Sequence, residues 1–139
     1  MATVRIRSRR GFTLVETALV VVVAGMLLAI AAPRFTAMRN GFLIDTAAYQ
    51  LAGDLRRAQV EAIKRNQTIT VAKTATTTYN ITQIGNRTFE PGIGFAAGAM
   101  TVSFASFGPP IGGGATFTIN YGGRAKAVTV GANGLVTVQ

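Results

Sequence analysis

Acidic side chains are scarce in this sequence, and one stands where water is not expected. The five are Glu16, Asp45, Asp54, Glu61 and Glu90. Glu16 is the single charge within the apolar run FTLVETALVVVVAGMLLAIAA, Phe12 to Ala32. A carboxylate at a bilayer centre costs about 2.5–3.5 kcal/mol on insertion scales, so a functional role is the first expectation for it. Other chemistry is poorly supplied. The absence of histidine removes the usual general base and the commonest metal ligand. The absence of cysteine removes disulfides, thiolate metal sites and thiol nucleophiles. No carboxylate pair stands in a recognisable motif. The sequence therefore points away from an enzyme, and no catalytic residue, metal or cofactor is expected.

The elements that must position Glu16 follow from hydropathy. Residues 1–11 (MATVRIRSRRG) are basic and polar. The run from Phe12 to Ala32, at about 1.5 Å per residue, matches a hydrocarbon core of roughly 30 Å and predicts a membrane-spanning helix. Four consecutive valines, Val20 to Val23, argue against a buried globular helix. Pro33 closes the run and is expected to break the helix at the membrane exit. From about Gly41 to Arg65 an amphipathic helix is predicted, with Leu43, Ala47, Leu51, Leu55, Ala58 and Ala62 as its apolar stripe. Arg57–Glu61 and Glu61–Arg65 are i,i+4 pairs on the other face. The charged group Arg56, Arg57, Lys64 and Arg65 reads as that solvated face.

After Asn66 the period becomes two. Ile69 and Val71 alternate with threonines, and residues 79–84, 87–90, 101–105, 116–121, 125–130 and 135–138 read as short strands. Gly85-Asn86, Gly122-Gly123 and Asn133-Gly134 are the turn dipeptides between them, and Ser106 to Gly114 is a loop. The fold expected is α+β: a long N-terminal helix whose second half packs on an antiparallel sheet of short strands. The organisation is a leader (1–11), a transmembrane helix (12–32) and an extracytoplasmic amphipathic-helix and β-rich domain (33–139).

The net charge of +9 invites a nucleic-acid reading. Its distribution weakens that reading. Arg5, Arg7, Arg9 and Arg10 sit before the apolar run, where basic residues hold a segment in the cytoplasm. Without these four, ten basic residues face five acidic ones, a net +5.

The segment Arg9-Arg10-Gly11-Phe12-Thr13-Leu14-Val15-Glu16, with the apolar run behind it, resembles the class III signal of type IV prepilins and type II secretion pseudopilins. The resemblance implies cleavage between Gly11 and Phe12 by the prepilin peptidase. It further implies N-methylation of Phe12, and a role for Glu16 in assembly. Pro33 falls where that family often breaks its helix. Residues Leu51 to Asn66 (LAGDLRRAQVEAIKRN), the Phe107-Gly108 loop and Gly134-Leu135-Val136-Thr137-Val138 are similar to the GspH/FimT branch. The resemblance thus implies a minor pseudopilin, a structural subunit of an envelope-spanning filament, most simply the type II secretion pseudopilus. Implied partners are other pilin-like subunits, the prepilin peptidase and the inner-membrane assembly platform. A minor type IV pilin of pilus assembly or DNA uptake is the alternative. Against DNA uptake, the segment Ala132–Gln139 has no Arg or Lys, so nucleic-acid binding is expected to be weak.

A rival reading takes Ser8-Arg9-Arg10-Gly11-Phe12 as a twin-arginine export signal and Ala29-Ile30-Ala31 as a signal-peptidase site. It would release a soluble binding domain starting at Ala32. Glu16 within the apolar region, the length of that region and Pro33 just past the cut all oppose it.

Overall fold

The computed structural model describes residues 12–139. The leader, including Gly11, lies outside the described residues. The chain divides into two units, one ending at Ala37 and one running Met38–Gln139.

One helix, α1 (Leu14–Arg65), carries the apolar run and continues into the second unit. The interruption expected at Pro33 does not occur: Pro33 lies inside the helix assignment. Proline has no N–H to donate, but the loss of one hydrogen bond leaves the turns on either side intact, and its fixed φ is helical. The helix stops where the chain enters the left-handed region at Asn66, with φ 50°. The Gln67 N–H bonds the Ala62 carbonyl at 3.1 Å and the Asn66 N–H bonds the Ile63 carbonyl at 3.2 Å. That reciprocal pattern is a Schellman ending, with Asn in the place glycine usually takes.

In the second unit nine short strands follow: β1 (Ile69–Lys73), β2 (Thr78–Ile81), β3 (Gly85–Thr88), β4 (Gly94–Phe95), β5 (Thr101–Phe104), β6 (Pro110–Ile111), β7 (Ala115–Tyr121), β8 (Arg124–Val130) and β9 (Val136–Val138). They form two antiparallel sheets, ordered β3-β2-β1-β5-β6 and β4-β7-β8-β9. Alternation sets the register. Val71 stands opposite Ile81 and Val102, and Phe117 opposite Val128, so buried side chains face one another across each ladder. The β7–β8 hairpin closes through Gly122 and Gly123 at φ 56° and 77°, the paired left-handed residues of a two-residue turn.

The core lies between helix and sheets. Ile44, Ala47, Ala48, Leu51, Ala52, Leu55, Ala58 and Ala62 are the buried residues of α1. Five of these eight are alanines, Ala48 and Ala52 among them beyond the expected stripe, and their small side chains let the strands lie close to the helix. Leu43, expected in the stripe, is only partly buried. Tyr79, Phe89, Phe95 and Phe117 form an aromatic chain with ring centroids 5.0–6.2 Å apart. It ties β2 of the first sheet to β4 and β7 of the second.

Three further expectations needed correction. Gly85-Asn86 is not a turn but the start of β3. The chain reverses earlier, at Thr82–Ile84, where Gln83 takes φ 65°. The loop Ser106–Gly114 contains β6, two residues that add an edge to the five-stranded sheet. Of the two helix-surface ion pairs, only Glu61–Arg65 forms, at 3.0 Å, with glutamate on the N-terminal side, the favourable order.

Candidate processing and assembly site

The start of α1 is built by Thr13. Its hydroxyl accepts the Glu16 N–H at 3.2 Å, and its carbonyl accepts the Thr17 N–H at 3.1 Å. This is an N-cap, and Thr13-Leu14-Val15-Glu16 has the spacing of a capping box. The spacing is legible in the sequence as Thr followed three residues later by Glu. Glu16 lies in the first helical turn, where the unpaired backbone N–H groups favour a carboxylate. Glu16 is exposed and has no ion-pair partner among the described residues.

Phe12 precedes the helix and is 82% exposed. Every residue from Phe12 to Arg39 is exposed, including Leu14, Val15 and Val20 to Val23. An apolar stretch this long with no buried side chain finds its cover elsewhere, in lipid or in other helices. Phe12 thus lies just before α1 and Glu16 in its first turn. Gly11, the other half of the proposed cleavage bond, lies outside the described residues. Pro33 sits in the helix interior. These positions provide an exposed Phe12, a single carboxylate and an uncovered apolar surface.

In the second unit, one polar cluster links helix to sheet. The Tyr79 hydroxyl donates to Asp54 Oδ2 at 2.6 Å, and Arg87 Nε lies 3.7 Å from the same oxygen. Burial, aided by the adjacent carboxylate, holds the Tyr79 phenol well above the ordinary tyrosine range. Arg56, expected on the solvated face, reaches the Val136 carbonyl at 2.9 Å, and Gln59 reaches the Gly108 carbonyl at 3.1 Å. Lys126 pairs with Asp45 at 2.9 Å. Among the described residues no group of His, Cys, Asp and Glu is placed to hold a metal.

Comparison with known proteins agrees with this arrangement. Residues 6–32 match the prokaryotic N-terminal methylation motif, and residues 47–134 match the type II transport protein GspH family. The pilin-like protein PilA1 of Thermus thermophilus is 37% identical over 95 residues, which cover 65% of this chain. The match spans 59% of that protein's length. The crystal structure of the type IV minor pilin FimU of Pseudomonas aeruginosa superposes with a TM-score of 0.59, covering 75% of this chain and 92% of that one. At 15% identity this likeness speaks for the fold: a long N-terminal helix packed on antiparallel sheet. With more than half its length matched, the chain belongs to the GspH family of pilin-like proteins and carries the prokaryotic N-terminal methylation motif.

Proposed function

We propose that this chain is a minor subunit of a helical filament of the type II secretion pseudopilus. It is inserted in the inner membrane by residues 12–32, with the domain beyond Pro33 outside the cytoplasm. The prepilin peptidase cuts between Gly11 and Phe12 and methylates the new amine. The assembly platform then moves the subunit from lipid into the filament. The observation that carries this reading is the uncovered apolar start of α1 with one carboxylate, Glu16, in its first turn. Cleavage turns Phe12 into a cation. In an apolar bundle a carboxylate is tolerable when paired with an opposite charge. The Phe12 amine of the neighbouring subunit supplies that charge and sets the axial register of the incoming helix.

A minor type IV pilin is the second reading, and the likeness over 65% of the chain to PilA1, itself described as pilin-like, is compatible with it. Both readings share the processing step. Intact-mass analysis of membrane-extracted protein tests it, with a mature chain starting at methylated Phe12 as the expected result. A mature end at Ala32 would overturn it in favour of a released soluble domain.

A further inference from the structure

Two glycines seat the β7–β8 turn in the second unit. Gly41 leaves the space that the Arg124 guanidinium fills: a Cβ there would stand 3.2 Å from Nη1. Gly92 does the same for the Tyr121 ring, which comes within 3.0 Å of where a Cβ would be. Tyr121 and Arg124 are the pair that closes the hairpin, and Gly122 between them packs on the Asn40 amide. A glycine within a helix is less favourable than alanine, and the seat of Arg124 is a reason for Gly41. The next contact along β8 fixes the direction of the turn. Lys126 pairs with Asp45, four residues on from Gly41. The strand β8 and the helix therefore run the same way, and the turn Gly122-Gly123 points to the helix end from which the chain continues back into the apolar run.

Charge at this end has one sign. Arg34 and Arg39 are the only charges in the sequence between Ala32 and Asp45. Asp45 itself is held by Lys126 at 2.9 Å. Arg124 is exposed and has no carboxylate partner among the described residues. A shallow cleft of about 460 Å³ opens beside it, lined by Gly92 and residues 120–125, and no acid lines it. At the same end of the unit's helix Met38 and Phe42 are 69% and 70% exposed.

We propose that this hairpin tip is a contact surface for anionic phospholipid headgroups, with Arg124 taking the lipid phosphate at the cleft and Tyr121 lying at the interface. The inference rests on the reading of residues 12–32 as a membrane span. Along α1, Asn40, which meets the turn, falls about 12 Å past Ala32. The headgroup layer on each side of the hydrocarbon is about 5–7 Å thick. A long arginine stem bridges the remaining gap and leaves its charge in the polar layer. The surface that a chain anchored by residues 12–32 meets at this end is the bilayer that anchors it. Cations, a tyrosine and exposed apolar side chains are the composition that such an interface favours. A second copy of this chain is a poorer occupant. It would have to offer acids, and of its five, Asp45, Asp54 and Glu61 already stand in ion pairs.

The test uses the full-length protein in vesicles of phosphatidylcholine, with or without phosphatidylglycerol. The chain has no cysteine, so a single one can carry a fluorophore. Ala125→Cys places it beside Arg124, Ala132→Cys just past the far end of β8, and Ala24→Cys in the apolar run. A spin label on the lipid headgroup quenches a fluorophore that touches the surface, and one on the acyl chain quenches a fluorophore that is inserted. The headgroup label is expected to quench at Ala125 in vesicles with phosphatidylglycerol, less in phosphatidylcholine alone, and little at Ala132. Arg124→Gln is expected to lower the ratio of docked to free tip about fivefold, the scale of one cation at an anionic surface. Arg124→Lys should keep the contact. Arg124 is exposed, so neither change should lower the thermal midpoint. Headgroup quenching at Ala125 that is absent, equal in the two kinds of vesicle or unchanged by Arg124→Gln would overturn the headgroup surface. Acyl-chain quenching at Ala24 in the same samples would leave the membrane span intact. Loss of the Ala125 contact on adding inorganic phosphate, at unchanged ionic strength, would assign the cleft to free phosphate and also overturn it. Absence of acyl-chain quenching at Ala24 would overturn the membrane span itself.

Discussion

Removing the Asp54 carboxylate should destabilise the domain more than removing the hydroxyl it binds. Tyr79 is fully buried, and its hydroxyl donates to Asp54 at 2.6 Å. Asp54→Ala leaves that donor buried without a partner and also releases Arg87. A hydrogen bond to a charged group contributes about 1.5–3 kcal/mol, and an orphaned buried donor adds its own desolvation penalty. A loss of about 2–4 kcal/mol is expected for Asp54→Ala. Tyr79→Phe keeps the ring in its aromatic cluster and leaves Asp54, partly exposed and beside Arg87, still solvated, so about 1–2 kcal/mol is expected. In the double variant nothing is left to orphan, so its loss should fall about 1 kcal/mol or more short of the sum. The assay is urea unfolding of the fragment Met38–Gln139, which contains every buried residue of the core. For a domain of about 100 residues each kcal/mol also moves the thermal midpoint by roughly 4–8 °C. Asp54→Ala within about 0.5 kcal/mol of wild type, or a strictly additive cycle, would refute the coupling.

Three other outcomes are expected. Gly114→Ala places a methyl group into the Val130 carbonyl oxygen, so the β7–β8 pairing must shift, and a loss of about 1–3 kcal/mol should appear in the same urea assay. Because the folded state holds Tyr79 neutral, the stability it contributes is whole below about pH 10. It should fall above that by about 1.4 kcal/mol per pH unit as the unfolded phenol ionises. Circular dichroism melts from pH 8 to 11.5 measure this, and Tyr79→Phe should flatten that part of the profile. Leu51→Ala, at a fully buried position of α1, should cost about 2–5 kcal/mol in the urea assay.

How far the sequence could be read depended on the range of the interaction. The helix stripe from Ala47 to Ala62 and the hairpin at Gly122-Gly123 were legible because period and turn chemistry are local. The division into two sheets was not, since alternation tells which face of a strand is buried but not which strand lies beside it. The strand Gly94–Phe95 and the edge Pro110–Ile111 are too short to show a period. Pro33 was over-read: proline disfavours helix, yet the turns around it here are strong helix formers. The role of Arg56 was hidden because its partner, Val136, lies far along the chain. At the functional end, Glu16 stood out as the lone charge in an apolar run. Thr13 beneath it was missed, although its spacing to Glu16 was the clearer local signal.

The account turns on what the carboxylate of Glu16 does, and filament incorporation measures that most directly. Two variants separate the charge from the polar side chain. Glu16→Gln removes the charge and keeps a residue type that suits a capping box, whereas Glu16→Val removes both, and in either the backbone N–H of residue 16 can still donate to the Thr13 hydroxyl. Neither change adds a charge to the apolar run, so insertion and cleavage after Gly11 should persist in both, as mass analysis would show. The quantity measured is the fraction of the protein recovered with sheared filaments. If Glu16 pairs with the Phe12 amine of a neighbour, both variants should be nearly absent from that fraction while accumulating as processed protein in the membrane. Normal recovery of Glu16→Gln would contradict the pairing and leave Glu16 only its place in the helix cap.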